Sequence, residues 1–345
     1  MKRKAWSRLP WQAAIWNRLR PDLGSNHHAF LLLGHEGIGK QALGRALASA
    51  LLCMHPMEDA SACGECESCE WLYAGNHPDF RWLTTPSRLQ EMGAEDESAG
   101  SELEDSASEK RASEVIGIDS VRNLASFFSL TTHRGGARVL FIEPAEALNI
   151  AAANALLKTL EEPPAGSRFI LVSSHARRLP ATILSRCLSV NVPLPSIEDA
   201  RQWLLDKGVS SPDSVLNQAA GRPLRALALA DPTQQLARKE FMAQLSSLER
   251  DPYGLSEKVN RENVALWTEW MQCWCYDLLA KINHAPIRFN PEYEIKINAL
   301  AHKVHLGKLL DWEKKLRIAR YQSQQPVNPR LFCDDLLNAY CAVLQ

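Results

Sequence analysis

Short apolar runs alternate with amphipathic stretches through the first 192 residues of the chain. Five runs stand out: residues 30–33 and 139–142 are apolar throughout, and residues 80–83, 168–174 and 188–192 are mostly apolar. Apolar runs of this length predict strands that are buried on both faces, as in a parallel sheet. Several of the stretches between them repeat their apolar residues at helical spacing. The pattern therefore predicts an α/β domain in which helices cover both faces of a parallel sheet.

Local signals set the expected helix boundaries in this part of the chain. Residues 1–29 predict a helical lead-in, and Asp119 is the predicted N-cap of a helix that carries Val121 and Leu124. A long helix is expected over residues 145–161, because proline disfavours helical backbone in the residue before it and two prolines follow at 163 and 164. A short helical segment is expected over residues 182–187.

Strand patterns cease after residue 192. Residues 196–230 have the pattern of a small helical module, and helical spacing recurs from about residue 235 to the end, for example at Leu266, Trp270 and Trp274. A chain of 345 residues is long enough for two or three cores. We therefore predict a sheet domain over residues 1–194, a small helical domain over 195–233 and an all-helical domain over 234–345.

The turn after the first apolar run has the spacing of a phosphate-binding loop. Gly34, Gly37, Gly39 and Lys40 fit the pattern G-x-x-x-x-G-K between a predicted strand and a predicted helix. Glycines let several backbone N–H groups converge on a phosphate, and the helix N-terminus adds the positive end of its dipole. The expected next residue is Ser or Thr, whose hydroxyl would hold Mg²⁺, but here it is Gln41.

The residues after the third predicted strand also differ from those of an ATPase. Hydrolysis needs a carboxylate at the end of a strand to organise Mg²⁺ and a base to orient water. The run 139–142 is followed by Glu143, where Asp is expected, and by Pro144, where a water-orienting Glu is expected. The sequence therefore predicts no ATP hydrolysis, and it leaves open whether Lys40 still holds a nucleotide.

Four of the nine cysteines are clustered in the sequence. Cys53, Cys63, Cys66 and Cys69 have the spacing C-x9-C-x2-C-x2-C, and thiolates at such spacing converge on one ion in a tetrahedral Zn–S₄ site. An iron–sulfur cluster is the alternative, but the cysteine and proline that continue a ferredoxin-type motif are missing. We therefore predict a structural zinc module over residues 53–69.

Composition and charge narrow the class of protein and its expected compartment. The net charge of −1 gives no electrostatic reason for the whole chain to bind nucleic acid. The basic N-terminal residues are not followed by an apolar signal region, and no apolar run approaches the roughly 20 residues of a membrane span. These features predict a cytoplasmic protein whose thiols stay reduced. Residues 91–114 are rich in Glu, Asp, Ser and Ala, and they predict a disordered acidic insertion.

The motifs together resemble one known family, the bacterial clamp-loader subunits of the AAA+ class. The residues that carry the resemblance are 34–40, the four clustered cysteines, Asn76-His77-Pro78-Asp79, residues 117–122, residues 153–164 and Ser185-Arg186-Cys187. The run 153–164 and the tripeptide at 185–187 are highly specific in combination. The resemblance is strong across residues 5–230 and weak beyond them.

The resemblance implies a RecA-like P-loop sheet domain with an inserted four-cysteine zinc module, a helical lid and a helical collar that holds a five-membered ring together. Within the family, Gln41 and Pro144 favour a non-hydrolysing stator subunit. Arg186 would then act in trans as an arginine finger on ATP bound by a neighbouring motor subunit. Ser173 or Ser174, together with Arg225, would match the two sensor positions.

The resemblance also implies partners. These are the motor subunits tau and gamma and the delta subunit, with the sliding clamp and primed DNA reached through the complex. The chain would be part of a DNA-directed DNA polymerase holoenzyme, a nucleotidyltransferase, in the bacterial cytoplasm. Two alternatives stay open. The intact glycines and Lys40 suit an active AAA+ motor, and the cysteines suit a zinc-dependent nucleic-acid-binding protein outside any ring, for which salt-sensitive DNA binding is expected.

Overall fold

In a computed structural model of the chain, the five predicted strands form one parallel sheet. The strands are β1 Ala29–Leu33, β2 Phe80–Leu83, β3 Arg138–Ile142, β4 Ser167–Ser173 and β5 Leu188–Asn191. Their order across the sheet is β2-β3-β4-β1-β5, and each neighbouring pair is parallel. Because parallel strands all end at the same edge, the residues that follow β1, β3 and β4 lie together. This edge contains the predicted phosphate loop.

The structure describes residues 6–24, 27–91, 113–129, 136–247, 253–323 and 325–344. The chain divides into two compact units, Met1–Asp199 and Ala200–Gln345. The division into three domains at residues 194 and 233 stays a prediction. Most of the acidic insertion expected at 91–114 lies outside the described residues.

The described part of the chain contains seventeen α-helices. They are α1 Ala13–Leu23, α2 Lys40–Leu52, α3 Glu67–Tyr73, α4 Pro86–Glu91, α5 Ile118–Arg122, α6 Leu124–Ser129, α7 Ile150–Glu161, α8 Ala181–Leu184, α9 Ile197–Asp206, α10 Pro212–Gln218, α11 Pro223–Leu229, α12 Pro232–Leu245, α13 Tyr253–Ser256, α14 Val264–Ile282, α15 Glu294–Ala301, α16 Leu306–Gln322 and α17 Pro329–Leu344. Short 3-10 helices lie at Pro10–Gln12, Ala145–Ala147, Ala176–Arg178 and Pro291–Tyr293. Within the described ranges, none of the helices combines the length and apolar character needed to cross a membrane.

Helices cover both faces of the sheet, as the sequence predicts. Successive side chains of a strand point to opposite faces, so β1 contributes to two cores. Leu32 packs with α1 and α2 in one core, and Leu31 packs with α7 and α8 in the other. Both side chains are completely buried. The continuous apolar runs at residues 30–33 and 139–142 therefore reflect strands that are covered on both sides.

The second unit is helical and has its own aromatic core. Trp274 of α14 donates its indole N–H to the Tyr340 hydroxyl of α17 at 2.8 Å, and Trp312 of α16 stacks on the Tyr340 ring at 4.6 Å between centroids. Asp277 is also fully buried, and its carboxylate accepts backbone N–H groups from residues 288–290. The helical pattern predicted beyond residue 196 is thus confirmed.

Two helix starts differ from the prediction. Gly117 is the N-cap of α5, so the prediction that Asp119 is the cap is wrong. Asp119 instead lies in the first turn, where its charge still interacts favourably with the helix dipole. The helix expected from residue 145 begins only at Ile150, because the Asn149 side chain accepts the Ala152 N–H at 2.7 Å and caps it there.

The helical segment expected over residues 182–187 also ends early. α8 ends at Leu184, so Ser185 and Arg186 lie in the turn that leads into β5. The Thr182 carbonyl, which the next helical N–H would use, accepts the Ser185 hydroxyl at 3.1 Å and the Arg186 guanidinium at 2.9 Å. Side-chain hydrogen bonds to this carbonyl thus compete with another helical turn.

Helix α2 lies against the sheet through a glycine. A Cβ added to Gly44 would lie 2.6 Å from Cε2 of Phe141 and 3.3 Å from Cγ2 of Val172. Both neighbours are buried side chains of the sheet, so neither has free space to move into. This close approach fixes the distance between α2 and the sheet, and with it the position of the loop that precedes α2.

We expect Gly44→Ala to lower the free energy of unfolding by about 1–3 kcal/mol, because the added methyl group overpacks the interface. The sign is informative, since alanine in a helix interior ordinarily stabilises by about 0.5–1 kcal/mol relative to glycine. Urea unfolding followed by circular dichroism measures the change. Gly24→Ala is the control, because that position has φ −90° and open space around it. A Gly44→Ala protein as stable as the control would contradict the packing.

Candidate functional site

The turn after β1 has the backbone of a phosphate loop. Gly34, Gly37 and Gly39 have φ values of 151°, 80° and 90°. Residues with a side chain rarely adopt such values, which explains why glycine stands at these positions. Gly39 is the left-handed N-cap of α2, and Lys40 is the first residue of that helix. The structure therefore brings together the four residues that the sequence predicts for this loop.

Two glycines of the loop are packed closely by the chain's own side chains. Ile38 is completely buried, and its Cδ1 lies 2.8 Å from the position that a Cβ on Gly34 would take. Leu9 packs on Gly39 in the same way, since its Cδ1 meets the corresponding position there. His35 and Glu36 of the same loop are exposed.

The segment 6–23, which we call the N-terminal segment, is hydrogen-bonded to this loop. Trp11 donates its indole N–H to the Ile38 carbonyl at 3.0 Å, and Gln12 donates its amide to the Gly39 carbonyl at 2.7 Å. Gln12 is completely buried. The sequence predicted this segment as a helical lead-in but gave no indication that it covers the loop.

Lys40 is paired within the protein. The side chain is 5% exposed, and its Nζ donates to the His35 carbonyl at 2.6 Å and to the Ser174 hydroxyl at 2.9 Å. Burial lowers the pKa of Lys40, against the opposing effect of nearby carboxylates, of which Glu146 has the largest effect. Of the two serines considered from the sequence, Ser174 is the one that contacts the lysine.

The residues at the two expected Mg²⁺ positions interact. Glu143 directly follows β3 with 6% exposure, and the Gln41 side chain acts to lower the pKa of its carboxyl group. Burial raises the pKa of Glu143, while the positive charges of Arg88, Arg45 and Lys40 oppose that shift. Arg88 forms an ion pair with Glu143 at 3.4 Å. Arginine therefore supplies positive charge where a nucleotide site would have a metal.

Glu146 also belongs to this cluster, and the sequence analysis missed it. Its carboxylate accepts the Ser174 N–H at 2.9 Å and lies 3.2 Å from Nδ1 of His175. Burial would raise the pKa of Glu146, but hydrogen bonds, including those from Ser174 and His175, outweigh it and lower the pKa. The available signal was its place three residues after Glu143, just beyond the end of a strand.

The four clustered cysteines form a compact group. Their sulfur atoms all lie within 4.8 Å of one another, with Cys53 3.5 Å from Cys63 and 3.9 Å from Cys66. Zn–S bonds of about 2.3 Å in a tetrahedron put the sulfurs roughly 3.8 Å apart, so the spacing fits. Cys53 is the C-cap of α2, and Cys69 lies on α3.

Backbone hydrogen bonds favour thiolate forms in this group. The N–H of Cys63 points to the Cys53 sulfur at 3.3 Å, and the N–H of Cys66 points to the Cys63 sulfur at 3.4 Å. Burial raises the pKa values of Cys53 and Cys69. At Cys66 burial also acts to raise the pKa. Hydrogen bonds, of which that from the Met54 N–H has the largest effect, outweigh burial and lower the pKa to about 7. The four cysteines can therefore hold a metal that prefers thiolate ligands.

The loop between Cys53 and Cys63 is tied to the N-terminal segment. Asp59 forms an ion pair with Arg8 at 2.9 Å, and its backbone carbonyl accepts the Trp16 indole N–H at 2.8 Å. Hydrogen bonds from Ser61, followed by that from Arg8, lower the pKa of Asp59 to about 2. One short segment thus contacts both the phosphate loop and the cysteine module.

Arg186 lies elsewhere on the first unit. Its guanidinium forms an ion pair with Glu161 at the end of α7, and the side chain remains 32% exposed. Together with the bond to the Thr182 carbonyl, this pairing fixes the guanidinium at the surface. Arg225, the residue at the second sensor position, forms an ion pair with Glu269 inside the second unit.

The parallel sheet, the loop after its β1 strand and the carboxylate that follows β3 define a P-loop protein of the AAA+ class. Residues 11–196 match the family model described as DNA polymerase III, delta subunit, and residues 233–340 match the model of the C-terminal part of that subunit. The chain belongs to the delta-prime subunit family of DNA polymerase III, which confirms its resemblance to clamp-loader subunits.

Individual relatives agree with this assignment. The chain is 35% identical over 277 residues to DNA polymerase III subunit delta-prime of Pseudomonas aeruginosa, covering 78% of this chain and 76% of that protein. It is 31% identical over 326 residues to the subunit of the same name in Yersinia pestis, covering 91% and 88%. The match to subunit tau of Escherichia coli is also 31% identical, but it covers 53% of this chain and 24% of tau.

Proposed function

We propose that the chain is the stator subunit of a bacterial clamp loader and does not itself hydrolyse ATP. The observation that carries this proposal is the internal pairing of Lys40 with His35 and Ser174, in a loop where Ile38 and Leu9 pack on two of the glycines. A nucleotide would have to displace these contacts and place negative charge beside Glu143 and Glu146. Pro144 offers no base to orient water.

The alternative is an ATP-driven motor subunit. Partial identity to tau and the intact G-x-x-x-x-G-K pattern favour it. The chemistry of the site disfavours it, because the hydroxyl that would hold Mg²⁺ is replaced by the Gln41 amide, which interacts with Glu143. An independent nucleic-acid-binding role has less support, given the net charge of −1.

The purified chain should neither hydrolyse ATP nor bind a fluorescent ATP analogue, because Lys40 is already paired within the protein and the hydroxyl and base that ATP hydrolysis needs are missing. Colorimetric phosphate release and fluorescence anisotropy measure the two properties. Lys40→Ala should leave both at background, and a purified motor subunit of the loader serves as the positive control. ATP turnover that Lys40→Ala abolishes would contradict the stator function and favour the motor.

We further propose that Arg186 acts in trans on ATP held by a neighbouring motor subunit. Its guanidinium is partly exposed, and Glu161 and the Thr182 carbonyl hold it in one orientation. A fixed positive charge is effective at a phosphoryl transition state because it needs no reorganisation when negative charge develops. The partners in this proposal are the motor subunits and the delta subunit in a five-membered ring, which acts on the sliding clamp and primed DNA.

Arg186→Ala should preserve ring assembly and lower ATP turnover of the reconstituted loader. An arginine finger contributes about 10³–10⁵-fold to turnover at its own site, so the ring should lose most of the turnover from the site that Arg186 completes. Gel filtration measures assembly, and a coupled assay measures turnover with clamp and primed DNA present. Arg20→Ala removes an exposed arginine of α1 as a control. Turnover equal to that of the control would exclude the finger function.

We also infer that the four-cysteine module binds one structural Zn²⁺. Four thiolates close the coordination shell and leave no open position, as is typical of structural zinc sites. Bound zinc would offset the thiolate charge and link the end of α2 to α3. All four ligands come from residues 53–69, at the C-terminal end of α2 and around the start of α3, rather than from a catalytic cleft.

Elemental analysis should find about one zinc ion per chain, and Cys69→Ser should lower that occupancy because one of the four ligands is lost. Inductively coupled plasma mass spectrometry measures the metal. Cys273→Ser is the control, since that cysteine lies on α14 in the second unit. Iron in the purified protein, or a brown chromophore, would contradict the assignment of zinc.

A further inference from the structure

A relay of buried hydrogen bonds connects the cysteine module to the sheet. The Ser68 hydroxyl donates to the Leu52 carbonyl at 2.6 Å and lies 2.8 Å from Nε2 of His77. The backbone N–H of Asp79 donates to Nδ1 of His77 at 3.0 Å. Ser68, His77 and Asp79 are 3%, 6% and 6% exposed. The relay therefore runs through the protein interior, where an unpaired polar group is costly.

The hydrogen-bond directions in the relay follow from the number of protons available. A serine hydroxyl has one proton, and at Ser68 the Leu52 carbonyl receives it. Ser68 must then accept from Nε2–H of His77. The other ring nitrogen has no proton and accepts the Asp79 N–H. We infer that the neutral Nε2–H tautomer of His77 is the form that satisfies these bonds together.

The part of the relay formed by Leu52 and Ser68 lies beside metal-ligating positions. Leu52 immediately precedes Cys53, and Ser68 lies between Cys66 and Cys69. The Ser68–Leu52 hydrogen bond therefore holds together the two parts of the chain that supply sulfurs from α2 and α3. Its geometry limits how far Cys53 and Cys69 can move apart.

Asp79 anchors the relay on the sheet. Its carboxylate accepts the Arg138 guanidinium at 3.3 Å, and both side chains are buried. The Asp79 carbonyl accepts the N–H of Val139 at 2.8 Å, at the start of β3. His77 is thus held between Ser68 and a fixed point on the sheet.

We propose that the Asn76-His77-Pro78-Asp79 motif positions the four cysteines for metal binding through this relay. His77 and Ser68 are positioning residues, since neither supplies a ligand. The proposal rests on the metal-binding function proposed above. Groups that orient metal ligands through hydrogen bonds typically contribute 10–100-fold to metal affinity, because ligands held in place need less ordering when the ion binds. This function accounts for a motif that the closed phosphate loop leaves unexplained.

Three substitutions in the full-length chain test the relay. Ser68→Ala removes the link to Leu52. His77→Asn keeps an acceptor near the Nδ1 position for Asp79 and loses the donor to Ser68, whereas His77→Gln keeps a donor near the Nε2 position. Ser126→Ala is the control, because it removes an exposed serine hydroxyl on α6, where that hydroxyl donates to the nearby Asn123 carbonyl.

Zinc affinity is measured by competition with a chromophoric chelator, and the unfolding free energy of the metal-free chain is measured in parallel. We expect Ser68→Ala and His77→Asn to weaken zinc binding about 10–100-fold, and His77→Gln and Ser126→Ala to stay near wild type. If Ser68→Ala does not fold, the difference between His77→Asn and His77→Gln decides.

Wild-type zinc affinity in Ser68→Ala, or in His77→Asn, would overturn the relay proposal. The proposal would also be overturned if both His77 variants lost the same zinc affinity and that loss matched their loss of stability without metal. That result would indicate a purely structural function. A wild-type chain that binds no zinc would overturn the metal-binding function and the relay together. If the wild-type chain binds zinc and the Ser68→Ala variant binds it equally well, the relay alone would be overturned.

Discussion

A buried ammonium group must be surrounded by oxygen atoms, and Lys40 imposes this requirement on the whole edge of the sheet. In a nucleotide-binding protein the phosphates supply those oxygens. Here they come from the His35 carbonyl and the Ser174 hydroxyl, with Glu146 oriented by the Ser174 N–H. Because the protein itself supplies these oxygens, the loop after β1 and the ends of β3 and β4 are held together. The ammonium group that would otherwise bind a phosphate is thereby paired within the protein.

The same principle operates at the position of the missing metal. A buried carboxylate needs a nearby cation or hydrogen-bond donors, and Glu143 has Arg88 and the Gln41 side chain. The change from a hydroxyl to an amide at residue 41 is therefore more than the loss of a ligand, since the amide also interacts with the carboxylate. Together with the contacts of the N-terminal segment at Gly39, these interactions join the phosphate loop to the end of β3 and to the start of the chain.

Most features that depend on neighbouring residues were predictable, apart from two helix ends, and features that depend on distant residues were not. The five strands followed from their short, mostly apolar runs, of which residues 30–33 and 139–142 are the clearest, because burial on both faces leaves few polar positions. The cysteine cluster followed from its short spacing. The start of α7 and the end of α8 were missed because the Asn149 and Ser185 side chains decide them. Three features were missed because their residues come close together only in the folded chain. They are the contacts of Leu9 and Gln12 with the phosphate loop, the contact of Glu146 with Ser174, and the hydrogen bond between His77 and Ser68.

The strand order has a consequence for how the chain folds during its synthesis. β1 has two sheet neighbours, β4 and β5, so Ala29 pairs with Phe169 and Phe30 pairs with Leu188. Both partners leave the ribosome long after β1, whereas the cysteine module and the β2–β3 pair need only residues that emerge earlier. An apolar strand without neighbours on either edge is prone to associate with other chains. The nascent chain must therefore protect its most buried strand until the last strand of the sheet has been made.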